Sequence, residues 1–287
     1  TTLLSKLIDQ LKKKKIALIV NEFGDTSYDA ESLGQLEVKM EQIKNGSIFC
    51  TCKSAEFVSK FTELYSGDFD CILVESSGFS DPVSLEKVFG YSLEKESTSD
   101  FRYITVVDPI MYPKLINTLT SYSNQIKLAD VIIVNKADLV RPEVLNDVIT
   151  AIRGLNINAE IHSTAFGEID FRLIQQTKAD NDFKNVLRSK SITNSSISIM
   201  INENITEKTA ENLLDDMKDF VFRLKGTCVI NNQQRSIEIS SHMYEIKDKK
   251  TDKNVVTILY SSKIVSSHDL MKILENHISN FEIIGMK

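Results

Sequence analysis

A chain of 287 residues, 42% apolar and 26% charged, is long enough for a full core and a second, smaller domain, and its composition excludes an extended disordered chain. Its net charge of -6 removes the electrostatic basis for nucleic acid or an anionic membrane as a partner, and no apolar run has the length of a bilayer span or the flanks of a leader peptide. The four cysteines, Cys50, Cys52, Cys71 and Cys228, are too few and too scattered for a disulfide framework, which fits a reducing, cytoplasmic setting.

In chain order, Leu3, Leu4, Leu7, Ile8 and Leu11 recur at helical spacing, so an amphipathic helix opens the sequence, with Lys12 to Lys15 as its solvated end. Residues 16–20 form a short, wholly apolar strand that empties into the polar loop Asn21-Glu22-Phe23-Gly24-Asp25. Residues 31–44 are polar and weakly periodic, and no element is assigned to them. Asn45-Gly46-Ser47-Ile48-Phe49-Cys50-Thr51-Cys52 precedes a helical pattern carried by Phe57, Val58, Phe61, Leu64 and Tyr65. Residues 70–74 are the second buried strand, which delivers Glu75-Ser76-Ser77-Gly78 and then Asp81-Pro82. An acidic strand end with a glycine soon after is how nucleotide hydrolases bring a carboxylate near magnesium and a backbone N–H near the terminal phosphate. Further strands are predicted at 103–107, ending at Asp108, at 131–134, and at 159–162, opening into Ser163-Thr164-Ala165-Phe166-Gly167. Strands alternating with helices predict an α/β fold: a doubly wound, mainly parallel sheet with a ligand across the carboxyl ends of its strands.

Residues 177–196 are polar and charged and are read as a linker between a first domain over 1–176 and a small α+β domain over 197–287. In the latter, Ile197, Ile199 and Ile201 alternate as in a half-exposed strand. Thr206 is predicted to cap a helix through Leu213, Leu214, Met217, Phe220 and Val221, with Gly226 just past its end. Short strands are predicted at 227–230, 236–240, 244–246 and 255–260, then a helix capped by Ser267, and a final extended segment at 281–284.

The continuous β-branched run Val131-Ile132-Ile133-Val134 leads directly into Asn135-Lys136-Ala137-Asp138. An aspartate so placed can accept two hydrogen bonds from N1–H and the exocyclic amine of guanine, the lysine stem can lie along the ring, and the asparagine can tie the loop to its neighbours. Adenine offers no such pair of donors, so one carboxylate suffices to choose GTP over ATP. A solvated turn after a strand is the plainer explanation for the tetrapeptide taken alone.

Taken in order, Thr1-Thr2-Leu3-Leu4, Asn21-Glu22-Phe23-Gly24-Asp25, Asn45-Gly46 with the cysteines after it, Glu75-Ser76-Ser77-Gly78 with Asp81-Pro82, and Asn135-Lys136-Ala137-Asp138 resemble the CobW-type P-loop GTPases. These are metallochaperones related to the hydrogenase- and urease-maturation GTPases. The resemblance implies slow hydrolysis of GTP to GDP with Mg²⁺, and action as a metal chaperone or as a maturation factor for a metallocofactor or cobalamin enzyme. It further implies that Thr1 is the P-loop hydroxyl on Mg²⁺ and that Thr2 follows it in the helix; the phosphate-cradling glycines and lysine are expected ahead of Thr1 in the natural polypeptide. Their strand is expected in the middle of the sheet, so that its neighbours stand unpaired without it.

Glu75 is expected to hold or polarise water on Mg²⁺, and Gly78 to offer its N–H to the γ-phosphate. Glu22 and Asp25 lie in what resembles the first switch, where they position water or touch metal, or are simply surface acids. Ser163, beside His162, borders a loop that can reach the base edge. The family's C-x-C-C element reads here as Ser47, Phe49 and Cys50, with Cys52 two places on. Two thiolates can bind Zn²⁺ or Co²⁺ but do not complete a tetrahedral site, and a tolerated or redox-labile pair is the alternative. Cys71 and Cys228 fall in predicted strands as core residues. The partners implied are a guanine nucleotide, a client metalloprotein or cofactor enzyme, and a second copy of the chain, since relatives often act as dimers. A nucleotide-dependent activator that handles no free metal is the second reading, and a non-catalytic scaffold the third.

Overall fold

The computed structural model describes residues 2–22, 38–44, 54–76, 78, 80–83, 101–176, 194–240, 243–249, 251, 253–262 and 264–286. The chain divides into two compact units, residues 1–190 and 191–287.

The first unit is α/β. Helix α1 (Thr2–Gln10) is followed by β1 (Ile16–Glu22), β2 (Val38–Lys44), α2 (Ser54–Tyr65) and β3 (Cys71–Glu75). Then come β4 (Ile104–Val107), α3 (Tyr112–Thr118), α4 (Thr120–Leu128), β5 (Val131–Val134), α5 (Pro142–Leu155), β6 (Glu160–Ser163) and α6 (Phe171–Gln176). The strands run parallel, as predicted, but in two three-stranded sheets, β2-β1-β3 and β4-β5-β6, rather than in one continuous sheet. Among the described residues β3 pairs only with β1, and β4 only with β5.

Helix α1 packs on both sheets, and its apolar stripe explains how. Ile8 and Leu11 join Ile16, Leu18 and Val20 of β1 in one buried cluster. Leu7, one position earlier on the wheel, joins Val131 and Ile133 of β5 and Ile174 of α6 in another. Each such buried aliphatic side chain is worth roughly 1.5–3 kcal/mol. The lysines after the helix are exposed, as expected, and the ammonium of Lys15 pairs with Asp68.

Strand β2 lies in the stretch 31–44 to which the sequence pattern assigned no element: it pairs in parallel with β1 from Ile16 opposite Val38 to Glu22 opposite Lys44. Its polar alternation is satisfied by α2. Lys39 Nζ lies 2.7 Å from Glu63 Oε1, and Lys60 Nζ lies 3.0 Å from Glu41 Oε2, so charged residues that read as loop serve as a strand-to-helix seam.

The second unit is α+β. A seven-stranded sheet has the order β11-β10-β9-β12-β7-β13, with β8 beside β9; these strands are β7 (Asn194–Ile201), β8 (Asn204–Ile205), β9 (Val221–Ile230), β10 (Gln233–Ser240), β11 (Met243–Asp248), β12 (Val255–Ser261) and β13 (Phe281–Met286). Helices α7 (Glu207–Met217) and α8 (Ser267–His277) bury Leu213, Leu214, Met217, Leu270 and Leu274 against Ile197, Ile199 and Ile201. Thr206 caps α7 by accepting from Thr209 N, as expected. Ser266 rather than Ser267 caps α8, accepting from Asp269 N. Gly226 lies inside β9 rather than past a helix end, because β12 presses so closely that a side chain there would overlap the Val255 carbonyl and the Val256 Cα. The helix ends at Met217, and Val221 already belongs to the strand. Burial pushes the Cys228 thiol up to about 12, consistent with a core residue, and Cys71 is half-buried with its thiol also raised by burial.

Candidate functional site

The four residues of β5 are fully buried, because the strand lies between β4 and β6 with Val107 opposite Val134 and Val134 opposite Ser163. This register brings Asp108, Asn135 and Thr164 to one level at the carboxyl ends of the strands. Backbone bonds continue the ladder past the strands: Asn135 N donates to Val107 O at 2.9 Å, and Thr164 N to Val134 O at 2.9 Å.

The loop that follows is fixed by side chains. Asn135 Oδ1 accepts from Gly167 N at 2.9 Å, and Ala137 N donates to Thr164 O at 3.1 Å, which fastens the loop after β5 to the loop after β6. Lys136 adopts a left-handed backbone, φ 62°, and its Nζ donates to Asp108 Oδ2 at 2.9 Å. The other oxygen of Asp108 accepts from Ile110 N at 2.9 Å and Met111 N at 3.3 Å. Asp108 thus caps the turn after β4 and also holds the lysine, which the sequence did not reveal. Asp138 opens a short 3-10 turn (Ala137–Leu139), is exposed, and carries no side-chain hydrogen bond or ion pair among the described residues. Its carboxylate is open to accept from a ligand. Ser163 is exposed at the end of β6, and His162 is half-buried with Nε2 2.9 Å from Glu160 Oε1 on the same strand face.

Phe166 and Gly167 both have positive φ, 54° and 69°. For an aromatic residue that conformation costs free energy that the surroundings must offset, yet Phe166 is 67% exposed. Gly167 has a clear reason: an added Cβ would sit 2.9 Å from Leu3 Cα and 3.1 Å from Leu3 N, so the loop abuts the first turn of α1. Two further links seal that seam, Lys6 Nζ to Glu168 Oε1 at 2.8 Å and Gln10 Nε2 to Ile169 O at 2.7 Å. Gly167→Val should therefore destabilise the first unit by about 2–4 kcal/mol, from the left-handed backbone and the clash together. Chemical denaturation followed by circular dichroism would read this, and an unchanged midpoint would contradict the packing described.

On the other sheet, β3 ends at Glu75 opposite Val20, and β1 runs on two residues to Glu22; because the two strands are parallel, the loops after them leave on the same side. Glu75 is half-buried at the strand end, and Gly78 is exposed in the turn beyond. Helix α4 links this loop to the sheet that contains β4 and β5. Gln125 Nε2 donates to Gly78 O at 3.0 Å and Ser80 O at 2.7 Å, while Asn124 Nδ2 lies 3.2 Å from each oxygen of the buried Asp81. No sequence signal singled out Asn124 or Gln125. Thr2 is exposed on the first turn of α1. Only the backbone of Glu22 is described, at the end of β1; Thr1, Asp25, Cys50 and Cys52 lie outside the described residues. Among the described residues no group of three or more His, Cys, Asp or Glu is placed to hold a metal ion, and no helix is long and apolar enough to cross a membrane.

Residues 1–163 match the model of the CobW/HypB/UreG nucleotide-binding domain. The chain is 26% identical to the "Zinc chaperone YjiA" of Escherichia coli K12 over 81% of this chain and 79% of that protein. It is 28% identical to the "Zinc chaperone CobW" of Pseudomonas aeruginosa over 63% of this chain and 57% of the relative. With the "Zinc-regulated GTPase metalloprotein activator 1" of Schizosaccharomyces pombe it shares 30% identity over 59% of this chain and 44% of the relative. The chain thus spans about half the length of the latter two relatives. With residues 1–163 of its 287 matched by that model, this chain belongs to the CobW/HypB/UreG nucleotide-binding family.

Proposed function

We propose that this protein binds GTP and GDP with Mg²⁺, hydrolyses GTP slowly, and uses the switch between the two states to deliver a metal ion to a client metalloprotein. The observation that carries the nucleotide assignment is the braced loop after β5. Asn135 and Lys136 are held by Gly167 and Asp108, while the Asp138 carboxylate is left open at the strand ends. A preset acceptor pair of this kind recognises guanine without a reorganisation cost. Thr2, Gly78 and Ser163 complete the nucleotide contacts in this reading, and Glu75, with Asp25 and Glu22, serves hydrolysis.

The donor set fits magnesium. A hydroxyl at Thr1 and a carboxylate at Glu75 are hard oxygen ligands, and the ion, when bound, neutralises charge on the β- and γ-phosphates. Glu75 orients water at the strand end, and Gly78 offers a backbone N–H beyond it. The cargo is zinc or cobalt held by Cys50 and Cys52; the names of the curated relatives and the affinity of soft thiolates for borderline-soft Zn²⁺ support zinc. The client is a metalloprotein or cofactor enzyme, a second copy of this chain would supply the further ligands that two cysteines lack, and a reducing cytoplasm keeps the thiols available.

Equilibrium dialysis with Zn²⁺, Co²⁺ and Ni²⁺, with and without GTP, tests the cargo. The expected result is one ion bound in a nucleotide-dependent way and lost in Cys50→Ser. Nucleotide binding with no such ion would favour instead an activator that acts on its client without handling free metal, a reading supported by Ser47 and Phe49 standing where the family pattern has cysteines.

A further inference from the structure

Helix α4 touches the loop after β3 with two consecutive side chains and feeds directly into β5. Gln125 spends both protons of its amide group on backbone carbonyls of that loop, at Gly78 and Ser80. Asn124, 1% exposed, meets the carboxylate of Asp81, 7% exposed, whose Oδ1 also accepts from Val83 N at 3.1 Å. Ser80 between them is buried as well. A polar group taken out of water costs free energy unless paired, so these contacts favour one arrangement of the loop strongly over others.

The helix itself is anchored. Thr105 Oγ1 donates to Gln125 O at 2.8 Å. Asn156 Nδ2 donates to the carbonyls of Ile126, Lys127 and Ala129 at 2.8, 3.2 and 3.0 Å, which satisfies acceptors that a helix C-terminus otherwise leaves open. Asp130, buried, accepts from Tyr103 N at 2.7 Å at the start of β5. The side of the helix that holds the loop is therefore tied rigidly to the strand that carries Asn135, Lys136 and Asp138.

We propose that Asn124 and Gln125 are positioning residues that latch the loop after β3, fixing the peptide planes at Gly78 and Ser80 so that the protein distinguishes a nucleoside triphosphate from a diphosphate. With the Gly78 carbonyl tethered by Gln125, the plane that follows Gly78 Cα is held, which limits rotation about the Cα–C bond of Gly78 and so the directions open to its own N–H. The latch acts through Gly78, and it rests on the guanine-nucleotide reading above. It leaves the base loop untouched, so it governs the terminal phosphate and not the affinity for the base.

The test uses the full natural polypeptide with fluorescent mant-GDP and mant-GTPγS, and single-turnover GTP hydrolysis. Gln125→Leu removes both donors; two lost hydrogen bonds correspond to roughly a tenfold or larger loss in the set arrangement. The expected result is a mant-GDP affinity within about twofold of wild type, and a preference for mant-GTPγS and a hydrolysis rate each reduced about tenfold. Asn124→Asp sets two carboxylates face to face and should show the same selective loss. The double exchange Asp81→Asn with Asn124→Asp restores an amide against a carboxylate, keeps an oxygen at position 81 for the Val83 N–H, and should recover most of the preference. Equal weakening of both nucleotides by Gln125→Leu, an unchanged preference, or an Asn124→Asp defect that the double exchange does not relieve would each overturn the latch. Failure of the wild-type protein to bind mant-GDP would instead sink the guanine reading and the latch with it; wild-type binding with an indifferent Gln125→Leu sinks the latch alone.

Discussion

Asp138→Asn is expected to lose its preference for guanine by on the order of a thousandfold and to gain preference for xanthine nucleotides. A carboxylate that accepts two hydrogen bonds in a shielded site carries roughly 1.5–3 kcal/mol in each. The amide retains one acceptor but turns its second atom into a donor, which faces the guanine amine and repels it. Xanthine presents a carbonyl at that position and accepts from the same donor. Folding should be unaffected, because Asp138 is exposed and carries no side-chain bond among the described residues. Competition of GDP and XDP for the substituted protein, read by fluorescence, checks this; unchanged base selectivity would remove the basis of the GTP assignment.

Glu75→Ala should bind nucleotide nearly as wild type does while its single-turnover hydrolysis falls by about 10²–10³-fold, the range over which positioned acid-base and electrostatic groups act. The residue ends β3 opposite Val20, where its carboxylate can serve water or magnesium but is remote in role from the base loop. Phosphate release from preloaded GTP is the readout. Wild-type turnover would mean that another carboxylate, Asp25 or Glu22, carries the step.

The chemistry-bearing strands could be read from the sequence because β-branched runs such as Val131 to Val134 are buried on both faces and end abruptly in polar loops. Strand β2 could not, since its charged positions are satisfied by Lys60 and Glu63 of α2, a pairing that local pattern does not contain. Gly226 misled for a similar reason: its role is set by the β12 backbone pressed against it, whereas helix-end grammar assigned it to a cap. In the site, Asn135, Lys136 and Asp138 were legible as a motif, but the brace of Asp108 on Lys136 bridges 28 positions and the hold of Gln125 on Gly78 bridges 47. Asn124 and Gln125 resemble the ordinary polar face of a helix until the fold brings the loop to them. Phe166 follows a predicted strand as an ordinary loop residue, and its positive φ, a property of the folded backbone alone, is what sets it apart.

In the proposed function, the strand ends of the first unit present one site for one purine, and that purine is guanine. Isothermal titration of the full natural polypeptide with GDP, GTPγS and ADP in the presence of Mg²⁺ tests it most directly. The account predicts one site per chain for each guanine nucleotide and no measurable heat with ADP. Indifference to GDP and GTPγS, or equal binding of ADP, would contradict it.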